Sequence, residues 1–270
     1  MGIGLSSYTL AGAVALEGGM GVLSSAGLDR IVSKRHNRKM KAREAAAQDV
    51  RDAKFLGKGG AIGMNIMVAV INQYEDSVYG SMDGGVDAII SGAGLPLQLP
   101  EIALKHPRAK DVLLIPIVSS GRALDIICKR WSRAGRLPDA VVVEGPLAGG
   151  HIAWRNVEEA LDPSNKLENL LTDVFAVAKK WGNLPVIAAG GVYSHEDIKM
   201  YLDMGCAGVQ MGTRFLATYE SGANEKYKKL LVTSTEDDIE LASKPGSPCG
   251  MLFRVLKQSP FYQEALNRGR

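Results

Sequence analysis

One repeated pattern constrains this chain more than any other. Seven short apolar runs, at residues 21–25, 61–67, 88–91, 112–118, 140–144, 185–189 and 208–211, alternate with segments of helical period. Most of these runs end in Gly or Ser or are followed directly by one. Strands that alternate with helices form parallel sheets with crossover connections. The runs are almost uninterrupted in apolar character, as expected of strands covered on both faces. Pro116 is the exception inside the fourth run. Its missing N–H must fall at a bulge or an unpaired position.

Helical period covers residues 8–17, 29–55, 74–83, 121–133, 167–181, 196–204 and 224–231. Ser6-Ser7 stands where a cap for the first of these belongs, and Ser194-x-x-Asp197 reads as a capping box. The expected fold is α/β, a TIM (β/α)8 barrel. Eight strands are needed and seven are visible. The absent one belongs before the helix at Tyr8, where only residues 1–5 are available. The chain is therefore expected to begin at or inside its first strand. Residues 1–234 form the expected barrel. Residues 235–270, with weak periodicity and the turn formers Lys244-Pro245-Gly246-Ser247-Pro248, form an expected C-terminal extension packed on it, itself incomplete.

Composition excludes several classes. The 270 residues suit one such barrel, and a net charge of +3 is too small to argue for nucleic acid. Six Lys or Arg residues lie within 34–43, but Glu44, Asp49 and Asp52 follow and no aromatic residue interleaves, which describes a solvated helix. The three cysteines are far apart and odd in number, which suits a reducing compartment. No signal peptide is expected, and no run of about 18 apolar residues occurs. A cytoplasmic location with no membrane partner is expected. His36, His106 and His195 stand away from strand ends, no pair has metal-ligand spacing, and no metal is expected.

Catalytic groups on barrels gather at the carboxyl ends of the strands, and the loops after the last two strands often hold a phosphate. Here those loops are Gly190-Gly191 and Gln210-Met211-Gly212-Thr213. Glycine permits close backbone approach, and Thr213 adds a hydroxyl. Either they bind an anion or they are ordinary strand-ending turns. After the run at 140–144 comes Glu144-Gly145-Pro146-Leu147-Ala148-Gly149-Gly150-His151. The glycine pair clears space for a flat ring beside the imidazole, and histidine titrates near neutrality. The alternative is a buried histidine bracing the loop. Asn65, Ser91 and Glu144 lie on the same rim; they either meet a ligand or support loop backbone.

Taken together, these residues resemble a known family. Gly18-Gly19-Met20-Gly21-Val22-Leu23-Ser24-Ser25, Val143-Glu144-Gly145 with Ala148-Gly149-Gly150-His151, Ala188-Ala189-Gly190-Gly191-Val192 and Val209-Gln210-Met211-Gly212-Thr213-Arg214-Phe215 are similar to nitronate monooxygenase, formerly 2-nitropropane dioxygenase. That family is related to the flavin-dependent enoyl-carrier-protein reductases. The resemblance implies a flavoprotein with non-covalent FMN and His151 as catalytic residue. It implies a flavin-phosphate site at Gly190, Gly191, Gly212 and Thr213, and ring or ribityl contacts from Met1, Gly2, Asn65, Glu144 and Gln210. Gly149, Gly150 and Met211 complete the expected cofactor set; Ser91 and His151 are expected to face substrate.

The implied reaction is oxidation of alkyl nitronates by O2 to a carbonyl compound and nitrite. The rival is an FMN- and NAD(P)H-dependent enoyl-thioester reductase. A further alternative is an inactive barrel with a binding role. The expected partners are small molecules, and a homodimer is among the assemblies the sequence allows. This chain begins at the Met of the family's Gln-Gly-Gly-Met type turn, so the strand before it is expected to be absent.

Overall fold

A computed structural model describes residues 3–247 and 251–269. The strands are β1 (Gly21–Ser24), β2 (Ile62–Met67), β3 (Ala88–Gly92), β4 (Leu113–Val118), β5 (Val141–Glu144), β6 (Gly150–His151), β7 (Val186–Ala189), β8 (Gly208–Gln210), β9 (Ile239–Ala242) and β10 (Phe253–Leu256). Seven of them form one curled parallel sheet, a half-barrel, in the order β1-β2-β3-β4-β5-β7-β8. All seven expected strands are present, within a residue or two of the expected bounds.

The helices are α1 (Tyr8–Leu16), α2 (Leu28–Arg35), α3 (Ala42–Leu56), α4 (Tyr74–Gly84), α5 (Leu99–Ala103), α6 (Gly121–Arg133), α7 (Val157–Leu161), α8 (Leu167–Lys180), α9 (His195–Asp203), α10 (Thr213–Leu216), α11 (Glu225–Thr233) and α12 (Pro260–Arg268). Among the described residues, no helix is long and apolar enough to cross a membrane.

Strand side chains alternate between two apolar layers, as the period of two requires. Ile90, Ile115, Val142 and Ala189 meet inside the curl. Leu23, Met64, Ile89, Leu114, Val143 and Ala188 face the helices in a larger core. This alternation later decides which rim residues look into the site.

Three local expectations need correction. Residues 29–55 are not one helix. The chain breaks between α2 and α3, where Asn37 takes a positive φ of 48° and Lys41 is extended. Ser33 Oγ accepts from Met40 N at 2.8 Å, and Glu44 caps Lys41 N at 3.1 Å. Asparagine tolerates the left-handed conformation that ends a helix. The basic run is thereby folded back on acids: Arg35 pairs with Asp49 and Asp52, and Arg43 with Asp83. Second, Ser7 precedes α1 but its hydroxyl makes no cap bond and instead meets Thr9 Oγ1 at 3.1 Å. The Ser194 capping box is present as expected. Third, Pro116 lies within β4. It sits where the strand passes from its register with β3 to its register with β5, which starts at Ile117–Val142.

Among the described residues, β1 and β8 are the sheet's two edges. Residues 3–6 form a turn, and no strand precedes α1 among the described residues. This segment links the two edges. Ser24 N donates to Ser6 O at 3.0 Å, and Gly222 N, after β8, donates to Leu5 O at 3.0 Å. Residues 239–256 contribute β9 and β10, which pair antiparallel with each other; β10 also pairs with β6. The C-terminal segment thus reaches the connection that carries His151.

Candidate active site

Four chain segments meet at the carboxyl rim. On the inner face, Glu144 follows Val142 by two residues, so it points the same way. Glu144, Ala189 and Gln210 share one register row across β5, β7 and β8. Asn65 of β2 is in register with inward-facing Ile90. Asn65, Glu144 and Gln210 therefore line one concave face. Burial pushes the Glu144 carboxyl above the usual carboxylate range.

The glycine turns converge beside this row. Gly190 and Gly191 both adopt left-handed φ values, 95° and 89°. A Cβ at Gly190 would lie 2.8 Å from the carbonyl oxygen of Gly145, so the turn after β7 touches the loop after β5 backbone to backbone. A Cβ at Gly149 would meet Thr213 Oγ1 at 2.9 Å, which places the start of α10 against the same loop. Gly149, Gly191, Gly212 and Thr213 are exposed, and the space over Gly212 is open. The Arg214 guanidinium stacks over the Tyr193 ring at 4.4 Å, leaving a cation at the mouth of this cradle. Met211 places its side chain against the helix-side core, so only its backbone is available to the cradle. Met1 and Gly2 lie outside the described residues.

His151 sits on β6, held by pairing with Phe253 of β10. Its ring lies 6.3 Å from the Phe253 ring at an interplanar angle of 28°. The imidazole is half-buried and makes no hydrogen bond among the described residues. Burial lowers its pKa, so the neutral ring dominates at pH 7. A neutral, unengaged imidazole is equipped to accept a proton.

Ser91 departs from expectation. It follows inward-facing Ile90 by one residue, so it faces the helices. It is fully buried, with its hydroxyl 2.9 Å from Ile66 O and 2.8 Å from Tyr74 Oη. Burial pushes the Tyr74 phenol up to about 12, so it stays protonated. Ser91 braces α4 against β2 and β3. Ser91→Ala is expected to cost about 1–2 kcal/mol in urea unfolding, since it strips the Tyr74 hydroxyl of its partner, and to leave turnover unchanged. A loss of turnover without a loss of stability would return Ser91 to the substrate pocket.

The remaining histidines lie outside the strands that form the rim. His36 contacts Asp52 and His106 contacts Asp83, while His195 starts α9. No metal-holding cluster occurs among the described residues. Cys128 and Cys206 are buried free thiols. The sequence reading missed Tyr74, Phe253 and Arg254. The last two lie about a hundred residues from His151, and an alternating run such as Phe253-Arg-Val-Leu names no partner strand.

The curled parallel sheet of seven strands, with helices between them, is a half-barrel of the (β/α) barrel class. The sequence profile of the nitronate monooxygenase family matches residues 1–261. This chain belongs to the nitronate monooxygenase family. It is 31% identical over 180 residues to a probable nitronate monooxygenase of Staphylococcus saprophyticus, covering 64% of this chain and 47% of that protein. A nitronate monooxygenase of Pseudomonas aeruginosa is 40% identical over 93 residues, 34% of this chain and 25% of the relative. The chain thus spans about half the length, or less, of the curated relatives it matches. Among solved structures, FabK from Thermotoga maritima superposes with a TM-score of 0.68 at 28% identity, over 96% of this chain and 70% of that one. Nitroalkane oxidase from Streptomyces ansochromogenes gives 0.74 at 24% identity, over 100% and 78%, which speaks for the fold.

Proposed function

We propose that this chain is an FMN-dependent oxidoreductase that oxidises alkyl nitronates with O2 to a carbonyl compound and nitrite, with His151 as its base. One observation carries the reading: a neutral imidazole that makes no hydrogen bond among the described residues stands on the same rim as the glycine turns, of which Gly190 abuts backbone and Gly212 faces open space. The residues present fit the cofactor. Gly190, Gly191, Gly212 and Thr213 would hold the phosphate through backbone N–H groups and one hydroxyl. Glu144 and Gln210 would take ribityl hydroxyls or the ring edge, with Asn65 opposite. When bound, FMN would supply the electron transfer that links nitronate to O2.

The protein's own contribution is placement and proton handling. His151 removes the α-proton of a neutral nitroalkane, and Phe253 packs behind it and keeps its ring in place. Burial raises the Glu144 pKa, which favours its neutral form beside an anionic substrate.

The test is spectroscopic. Purified protein reconstituted with FMN is expected to show a bound-flavin absorption spectrum, to release nitrite from ethylnitronate in air, and to bleach slowly with NADH under nitrogen. The likeness to FabK motivates the rival, an enoyl-thioester reductase. Rapid bleaching by NADH, with turnover of an enoyl thioester, would replace the nitronate reading by that one. No flavin uptake at all would remove the cradle argument and both readings with it.

A further inference from the structure

The loop that carries His151 is tied at its near end, where Gly145 N donates to Ala189 O at 2.8 Å, and has few further anchors of its own. Between the end of β5 and β6 it runs through Gly145, Pro146, Leu147, Ala148 and Gly149, with one internal bond, Ala148 N to Gly145 O at 3.1 Å. Its far end is fastened by β10: Phe253 pairs with His151, Arg254 with Gly150, and Ile152 N donates to Leu252 O at 2.9 Å. Its middle is gripped by one side chain. Arg254 Nη2 donates to Pro146 O at 2.7 Å and Nε to Ala148 O at 3.2 Å.

This guanidinium is half-buried, and among the described residues it has no carboxylate partner. A charge taken out of water for carbonyl oxygens alone is expensive unless the geometry it imposes is used. The planar fork of arginine suits two carbonyls in a fixed relation, which a lysine ammonium cannot reproduce.

We infer that Arg254 is a positioning residue for His151: its fork fixes the loop after β5, so that β10 aims the imidazole at the rim. The inference rests on the reading of His151 as the functional base. It gives residues 252–256 a task in the site, though they lie outside the barrel strands. The same grip holds Gly149 against Thr213, so one side chain sets the imidazole and the cradle together.

Two readouts on the full chain test this without requiring turnover. In Arg254→Met, amide exchange across residues 146–152 is expected to quicken by about tenfold or more, as a locally opened segment would. The ring-proton resonances of His151 are expected to lose the shift imposed by the Phe253 ring. Arg136→Met is the control, because Arg136 also clamps two carbonyls, those of Ala109 and Val112, far from the site. It should leave both readouts as in the wild type. Arg254→Lys should recover only part of the protection. Unchanged exchange and resonances in Arg254→Met would overturn the proposal. So would equal changes in the control, which would mean general destabilisation, or full recovery by lysine, which would assign the effect to charge. Should Arg254→Met fold poorly, Arg254→Gln, whose single amide cannot hold both carbonyls, is expected to quicken exchange across 146–152 in the same way; unchanged exchange would overturn the proposal. Failure of the wild type to oxidise nitronates would retract the nitronate reading and leave these readouts to stand by themselves.

Discussion

His151→Asn is expected to slow turnover of neutral nitroethane by about 10²- to 10⁴-fold, the range for losing a positioned general base. Turnover of preformed ethylnitronate should fall far less, because that substrate has already lost its proton. Asparagine keeps the size and polarity of the site but cannot take up a proton. The pH dependence follows from burial, which lowers the His151 pKa below its ordinary value. The base form is then dominant at neutral pH. The wild-type rate on nitroethane should be flat near pH 7 and above. It should decline only as pH drops below about 6.5, the ordinary histidine value. A protonated imidazole that stabilises an anion would show the opposite slope, with activity rising as pH falls. Steady-state kinetics on the two substrates, wild type against variant, decides between these roles. Equal loss on both substrates would end the case for a base.

The period of two and of 3.6 made most of the scaffold readable. Seven apolar runs became seven parallel strands because nothing else buries both faces of so many short segments. The rim followed from the fold: Asn65, Glu144 and Gln210 end their strands on one face, and parity alone puts them there. Ser91 shows the limit of reading a rim by proximity. It stands one residue from the inner face, and one residue reverses a strand side chain. The break at Asn37 was hidden because basic and acidic residues on both sides keep a helical rhythm across it. Arg254 and Phe253 were illegible for a different reason. Their partner is a two-residue strand about a hundred positions away, and local sequence carries no record of such a pairing. The glycines were legible as turns, but only the coordinates separate those that touch backbone from those that face open space.

That distinction yields the second large effect. Gly190→Ala is expected to cost about 1–3 kcal/mol of stability, the scale of a strained left-handed residue, and to weaken FMN binding by about tenfold or more, equivalent to about 1.4 kcal/mol. The position has φ 95°, and its Cβ would lie 2.8 Å from Gly145 O and 3.1 Å from Gly145 N and Ala148 N. Those are main-chain atoms and cannot swing away, so the loop bearing Gly149 and His151 must shift. Gly191→Ala should be milder. Its φ is also positive, but its contacts at 3.0 Å, Leu147 Cβ and Cδ1, belong to an exposed side chain rather than to main chain. Gly212→Ala separates folding from binding. Its φ of −127° is outside the left-handed region and nothing lies within 4 Å of the new carbon, so urea unfolding should change far less than in Gly190→Ala. If the phosphate occupies that open space, FMN affinity must still fall, as measured by equilibrium dialysis. Stability lost with FMN in Gly190→Ala, together with FMN lost alone in Gly212→Ala, is the signature of a cradle shaped for a ligand. Retention of FMN by both variants would mean that these turns merely end strands.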